Sequence, residues 1–174
     1  MMKEIKTIGV VGAGQMGRGI AQVAASAGYQ TKIFDVSAEC LENGVAFIHQ
    51  QLARSLAKGR ITQEQLDQTV LLIDPISKLD GLSDCDLVIE AATENRKIKF
   101  EIFQQLDSTI KSGAILATNT SSISITEIAA VTSRPELVVG MHFMNPVPVM
   151  KLVEGIRGLE TSNECYDTAA AVIE

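Results

Sequence analysis

Cysteine, excess positive charge and long apolar runs are all scarce in this sequence, and each scarcity narrows its function. Its 174 residues hold three cysteines, Cys40, Cys85 and Cys165, far apart and with no CxxC pair. A disulfide framework or a zinc site is therefore not expected, and a reducing compartment is. Lys and Arg number 15 against 21 Asp and Glu, a net charge of −6. That balance argues against a nucleic-acid partner but leaves room for a local basic patch facing a phosphorylated ligand. No apolar run approaches the ~20 residues of a membrane span. The first 30 residues carry a Gly-rich element instead of a signal peptide. The expected location is cytoplasmic, with no membrane partner. Internal repeats and low-complexity stretches are also missing.

What is present reads as one well-packed domain, with 46% hydrophobic and 21% charged residues. Short apolar runs alternate with segments of helical spacing. Residues 5–11, 31–34, 70–73, 87–90, 114–117 and 137–141 are the expected strands. Helices are expected over 14–27, from Ser37 to about Ala57, after the capping-box pattern Thr62-Gln63-Glu64-Gln65, over 95–110, over 125–131 and from Asn163 onward. This alternation predicts an α/β fold, a parallel sheet with helices on both faces.

The first strand runs into Gly12-Ala13-Gly14-Gln15-Met16-Gly17, a GxGxxG pattern. Alone the pattern is weak. Here it follows a strand, opens a helix, and precedes Asp35 at the end of the next strand. Gly12 permits the tight turn, Gly14 a close approach of backbone to a pyrophosphate, and Gly17 tight packing of helix on sheet. The helix N-terminus offers free N–H groups to phosphate. Asp35 is placed to accept hydrogen bonds from the adenosine ribose. No Lys or Arg follows it in Val36-Ser37-Ala38 to receive a 2′-phosphate, so NAD is expected over NADP.

Three further groups fall at the carboxyl ends of expected strands, where such sheets bind ligands. Thr118-Asn119-Thr120-Ser121-Ser122 reads either as ligand hydrogen-bonding groups or as an N-cap cluster. Glu90 and Glu94 read as site residues or as solvated acids. His142 is followed twelve residues later by Glu154, with Pro146 and Pro148 between them. If the chain turns back at the prolines, imidazole and carboxylate lie side by side, as in a general base with its orienting acid.

Together these segments resemble the L-3-hydroxyacyl-CoA dehydrogenase family, including its 3-hydroxybutyryl-CoA dehydrogenases. The resemblance rests on residues 12–17, on Ala91-Ala92-Thr93-Glu94-Asn95, on Asn119-Thr120-Ser121-Ser122 and on the stretch from His142 through Asn145-Pro146 to Glu154. It implies a Rossmann-type, doubly wound, mostly parallel sheet over residues 1–174, cut near the start of the family's all-helical second domain. It implies an acyl-CoA substrate, a dimer, and reversible oxidation of a 3-hydroxyacyl-CoA to the 3-ketoacyl-CoA. His142 is then the base, Glu154 its partner, and Ser121 and Asn145 hold substrate and nicotinamide. Glu94 and Lys99 lie near the nicotinamide, and Lys58 contacts CoA. Some relatives have a CoA-contacting serine where Gln51 stands here. Two other readings remain, a dinucleotide-binding module that needs a partner chain, and a crystallin-like dehydrogenase of sugar acids. Arg54 and Arg60 beside Lys58 favour a phosphorylated CoA ligand, and a solvated helix face explains the same charges equally well.

Overall fold

The computed structural model describes residues 4–174. Its strands are β1 (Thr7–Val11), β2 (Gln30–Phe34), β3 (Ile73–Ile76), β4 (Leu87–Glu90), β5 (Ile115–Thr118), β6 (Val138–Phe143) and β7 (Val153–Arg157). They form one sheet in the order β3-β2-β1-β4-β5-β6-β7. The first six pair in parallel and β7 runs antiparallel to β6. Helices α1 (Gln15–Ser26), α2 (Ala38–Ala57), α3 (Gln63–Leu71), α4 (Arg96–Thr109), α5 (Ile125–Ala130) and α6 (Asn163–Ile173) complete the element order. This is the doubly wound dinucleotide fold with one added antiparallel edge strand.

Period-two alternation sorts the strand side chains onto two faces. Ile8 and Val10, Leu87 and Ile89, Ile115 and Ala117, and Val139 and Met141 join one core with α1, α2 and α6. Val11, Val88, Leu116 and Val138 join the other, with Phe103 and Leu106 of α4 and Ile125 and Ile128 of α5. Parallel strands covered on both faces read as continuous apolar runs, and these do.

The helices begin where their caps stand. Ser37, Asn95, Ser124 and Ser162 each accept a backbone N–H three residues on. Thr62 and Gln65 form the reciprocal capping box. Each such cap is worth ~1 kcal/mol.

The third strand differs from its expected place at residues 70–73. Helix α3 continues through Leu71, and the strand is Ile73–Ile76. Val70 packs on the core at helical spacing from Leu66, so its β-branched side chain serves the helix. Pro75 is tolerated because β3 is the sheet's outer strand, where an absent N–H breaks no ladder. The first strand starts at Thr7, two residues later than expected. No helix among the described residues is long and apolar enough to cross a membrane.

The amino end of β1 is held by a charged clamp. Asp86 accepts from the backbone N–H of Lys6 at 2.9 Å and of Thr7 at 3.0 Å, and pairs with Lys111 at 2.8 Å. Burial opposes its ionisation, but the Lys111 ammonium and the two N–H groups outweigh burial and hold the carboxyl below its ordinary value. Two of the three cysteines, Cys85 and Cys165, are buried, and burial pushes each thiol up to about 12.

A depressed folded value means that Asp86 contributes fully above the unfolded value of about 3.9, and that the contribution is lost as pH falls through the folded value. Asp86→Asn should therefore lower stability at neutral pH by about 1–3 kcal/mol and flatten the loss of stability as pH falls below about 4. Urea unfolding measured across that range checks both. A thiol reagent should titrate Cys40 alone in the native protein, and all three cysteines after denaturation.

Candidate active site at the carboxyl edge of the sheet

Strand register sets the level at which the site is built. Val11 pairs with Phe34 on one side and Glu90 on the other, Glu90 with Thr118, and Thr118 with Gly140. These residues form one row. The next residues, Gly12, Asp35, Ala91, Asn119 and Met141, begin the ligand edge.

At β1 the chain turns sharply. Gly12 has φ +101°, a conformation open to glycine and poorly tolerated by other residues. A Cβ on Gly17 would sit 1.7 Å from the Gly12 carbonyl oxygen, so α1 approaches the loop as closely as backbone allows. Helix α2 does the same from the other side, since a Cβ on Gly44 would lie 2.6 Å from the Ala13 oxygen. Gly14 is different, because a Cβ there meets nothing within 4 Å. It is the N-cap of α1 and supplies no side-chain cap. The first N–H groups of α1 thus face open space, as a pyrophosphate requires. Asp35 accepts the Ala13 N–H and the Ser37 N–H, each at 2.8 Å. Its carboxylate spans the gap between the Gly-rich loop and α2, where an adenosine ribose lies in such folds. These observations fit a dinucleotide.

Beyond β4 and β5, a cleft of about 250 Å³ is lined by Gly14, Gln15, Met16, Glu94, Lys99 and Asn119, among others. Glu94 accepts from the hydroxyls of Thr120 at 2.8 Å and Ser122 at 3.2 Å. Both neighbours of Ser121 are thereby tethered, and Ser121 itself is exposed between them. Glu90 is not a solvated acid. It is fully buried and accepts from the Lys99 ammonium, from the Thr118 hydroxyl at 2.9 Å and from the Ala92 N–H at 2.9 Å.

His142 and Glu154 are directly opposite in the antiparallel β6–β7 pair. Nδ1 of His142 lies 2.8 Å from Oε2 of Glu154, which leaves Nε2 for another partner. His142 stands two residues beyond Gly140, about 7 Å past the end of β5. Asn119 steadies this edge by accepting the Phe143 N–H at 2.8 Å. The side chain of Asn145 accepts from Gln15 at 3.3 Å, which joins the proline segment to the Gly-rich loop. Val147 anchors the same segment on α1, in contact range of Gly19.

Residues 7–174 match the family model described as 3-hydroxyacyl-CoA dehydrogenase, NAD binding domain. The chain belongs to this family, and its cofactor is NAD. It is 50% identical over 169 residues to a 3-hydroxybutyryl-CoA dehydrogenase of Bradyrhizobium diazoefficiens, which covers 97% of the chain and 58% of the relative. To a probable 3-hydroxybutyryl-CoA dehydrogenase of Bacillus subtilis it is 53% identical over 171 residues, 98% of the chain and 60% of the relative. The crystal structure of (S)-3-hydroxybutyryl-CoA dehydrogenase from Ralstonia eutropha superposes with a TM-score of 0.95 at 45% identity, over 98% of this chain and 60% of that one. The chain thus spans about three fifths of the length of the curated relatives it matches.

Within this 3-hydroxyacyl-CoA dehydrogenase domain, most site residues expected from the sequence gather at one edge. Lys58 does not. It caps the far end of α2, about 30 Å along the helix from Ser37. Near that end lies a separate groove of about 510 Å³, lined by Gln22, Gln51, Ser55, Arg60, Pro148 and Val149 among others. The sequence named Thr118 and Asn119 only as members of a polar run and pointed neither to Thr118 as a partner of Glu90 nor to Asn119 as a backbone anchor, and it did not single out Gly19 and Gly44. The one signal for the last two was a glycine inside a segment of helical spacing.

Two glycine variants separate folding from binding. Gly17→Ala should cost at least about 1–3 kcal/mol by overpacking and lower the thermal midpoint. Gly14→Ala should change stability by less than about 1 kcal/mol yet weaken NADH binding at least tenfold, because its methyl enters the space left for the pyrophosphate. Thermal unfolding and NADH titration of both variants give the check.

Proposed function

We propose that this chain is the dinucleotide-binding, base-bearing part of an NAD-dependent (S)-3-hydroxyacyl-CoA dehydrogenase, acting on short acyl chains such as 3-hydroxybutyryl-CoA. The observation that carries this reading is the His142–Glu154 pair at 2.8 Å, set at the ligand edge beside the Gly-rich loop. NAD supplies the hydride acceptor when bound. The chain's own residues do the rest. Gly12, Ala13, Gly14, Gln15, Met16 and Gly17 wrap the pyrophosphate, and Asp35 takes the ribose. Glu94 and Lys99 border the nicotinamide half. Nε2 of His142 takes the substrate's 3-hydroxyl proton, and Glu154, already on Nδ1, stabilises the imidazolium. Ser121 and Asn145 hold the hydroxyl and the ring in register.

The groove between α1 and α2 supports a CoA ligand. It leads from the proline segment toward Arg60 and the end of α2, where Arg54 and Lys58 add cationic charge. A mixed channel with apolar walls (Val23, Leu52, Ile61, Val149) and Arg60 in its lining suits a long phosphorylated carrier better than a small sugar acid. The dimer implied by the resemblance and the cytoplasmic location expected from composition belong to this same proposal.

Titration with NADH, followed by an acetoacetyl-CoA reduction assay, tests the reading. The chain should bind NADH, and any turnover should fall by about 10²–10⁴-fold in His142→Ala, with a smaller loss in Glu154→Gln. NADH binding without turnover would assign the chain the role of a module completed by another polypeptide. Turnover that survives His142→Ala would reject the base.

A further inference from the structure

Lys99 and Glu90 form the most deeply buried ion pair among the described residues, with 1% and 0% of their side chains exposed. Two charges removed from water are costly, and a pair this deep needs full hydrogen bonding to persist. It has that. Glu90 Oε1 accepts the Ala92 N–H, and Oε2 accepts from Thr118 and Lys99. Lys99 also lies 3.3 Å from the Thr118 hydroxyl. Packing alone would be served as well by apolar residues. Both neighbours of Glu90 along its strand face, Val88 and Val11 across the sheet, are apolar.

The position of the pair suggests what it is for. In this fold the pyrophosphate crosses at β1, and Asp35 draws the adenosine half toward β2. The nicotinamide half must then lie over the ends of β4 and β5. Glu90 ends β4, Thr118 ends β5, and Lys99 forms part of the cleft lining there. The nicotinamide ring carries one positive charge when oxidised and none when reduced. An unpaired ammonium under that ring would repel NAD⁺ and leave NADH indifferent. An unpaired carboxylate would do the reverse.

We propose that Glu90, acting through Lys99 with Thr118 as the third member, keeps the floor of the nicotinamide half electrically neutral and so sets the balance of affinity between NAD⁺ and NADH. Glu90 is a positioning residue here, since it is sealed from the cleft and acts through the ammonium it holds. The inference rests on the cofactor reading given above and reaches beyond it.

The test is the ratio of the NAD⁺ and NADH dissociation constants, measured by calorimetry on this chain. Glu90→Gln should weaken NAD⁺ roughly tenfold more than NADH. Lys99→Met should shift the ratio the other way by a similar factor. The double variant, neutral again, should return the ratio to that of the unsubstituted protein even if both affinities are lower. A merely structural role predicts that both forms weaken in equal proportion in every variant, and that result would overturn the proposal. The opposite signs of the two single variants keep the test decisive if one of them fails to fold. Failure of the unsubstituted chain to bind either form would instead overturn the cofactor reading, and this proposal with it.

Discussion

A carboxylate sealed from water at the end of the central strand β4 ties the ligand edge together. A buried carboxylate needs hydrogen-bond partners, and the chain brings Glu90 three: a backbone N–H from the β4–α4 turn, a hydroxyl from β5 and an ammonium from α4. Meeting that requirement fixes the direction of the turn into α4 and the distance between the ends of β4 and β5. The tethering of Thr120 and Ser122 to Glu94 and the hold of Asn119 on β6 are built outward from this point.

The other half of the edge depends on closeness of backbone instead of charge. Helices α1 and α2 both press glycines against the loop after β1, at Gly17 and Gly44. Atoms are absent where side chains would normally stand, and the loop is clamped between two helices. The space at Gly14 is left open for a ligand. The proline segment then lies along α1 through Val147 and returns as β7, which carries Glu154 to His142. One half of the edge is thus a glycine-walled backbone loop and the other carries the His142–Glu154 pair, and the Gln15–Asn145 hydrogen bond joins them.

Much of this was legible in the chain because the signals are local. The Gly-rich turn needs only a strand before it and a helix after it, and Asp35 follows one strand later. Caps at Ser37, Asn95 and Thr62 speak for themselves, since each bonds within three residues. Val70 misled because a β-branched residue in a short apolar run suits a strand, whereas packing against α1 and α2 keeps it helical. Strand β7 was hidden by Gly155, whose missing side chain makes room for the Tyr166 ring, a contact eleven residues away in sequence.

The sequence by itself determined the fold class and the nucleotide fingerprint, and it offered the pairing of His142 with Glu154 on the condition that the chain turns back at the prolines. Each of these rests on spacing along one or two adjacent elements. Only the tertiary structure decided that Glu90 is buried and paired with Lys99, that Glu94 holds the neighbours of Ser121, and that Lys58 stands far from the reacting groups. Charge in a sequence reads as exposure, because water is the usual partner of a carboxylate. Which acid has exchanged water for a lysine and a threonine depends on strands and helices meeting across the sheet, and that meeting exists only in the folded chain.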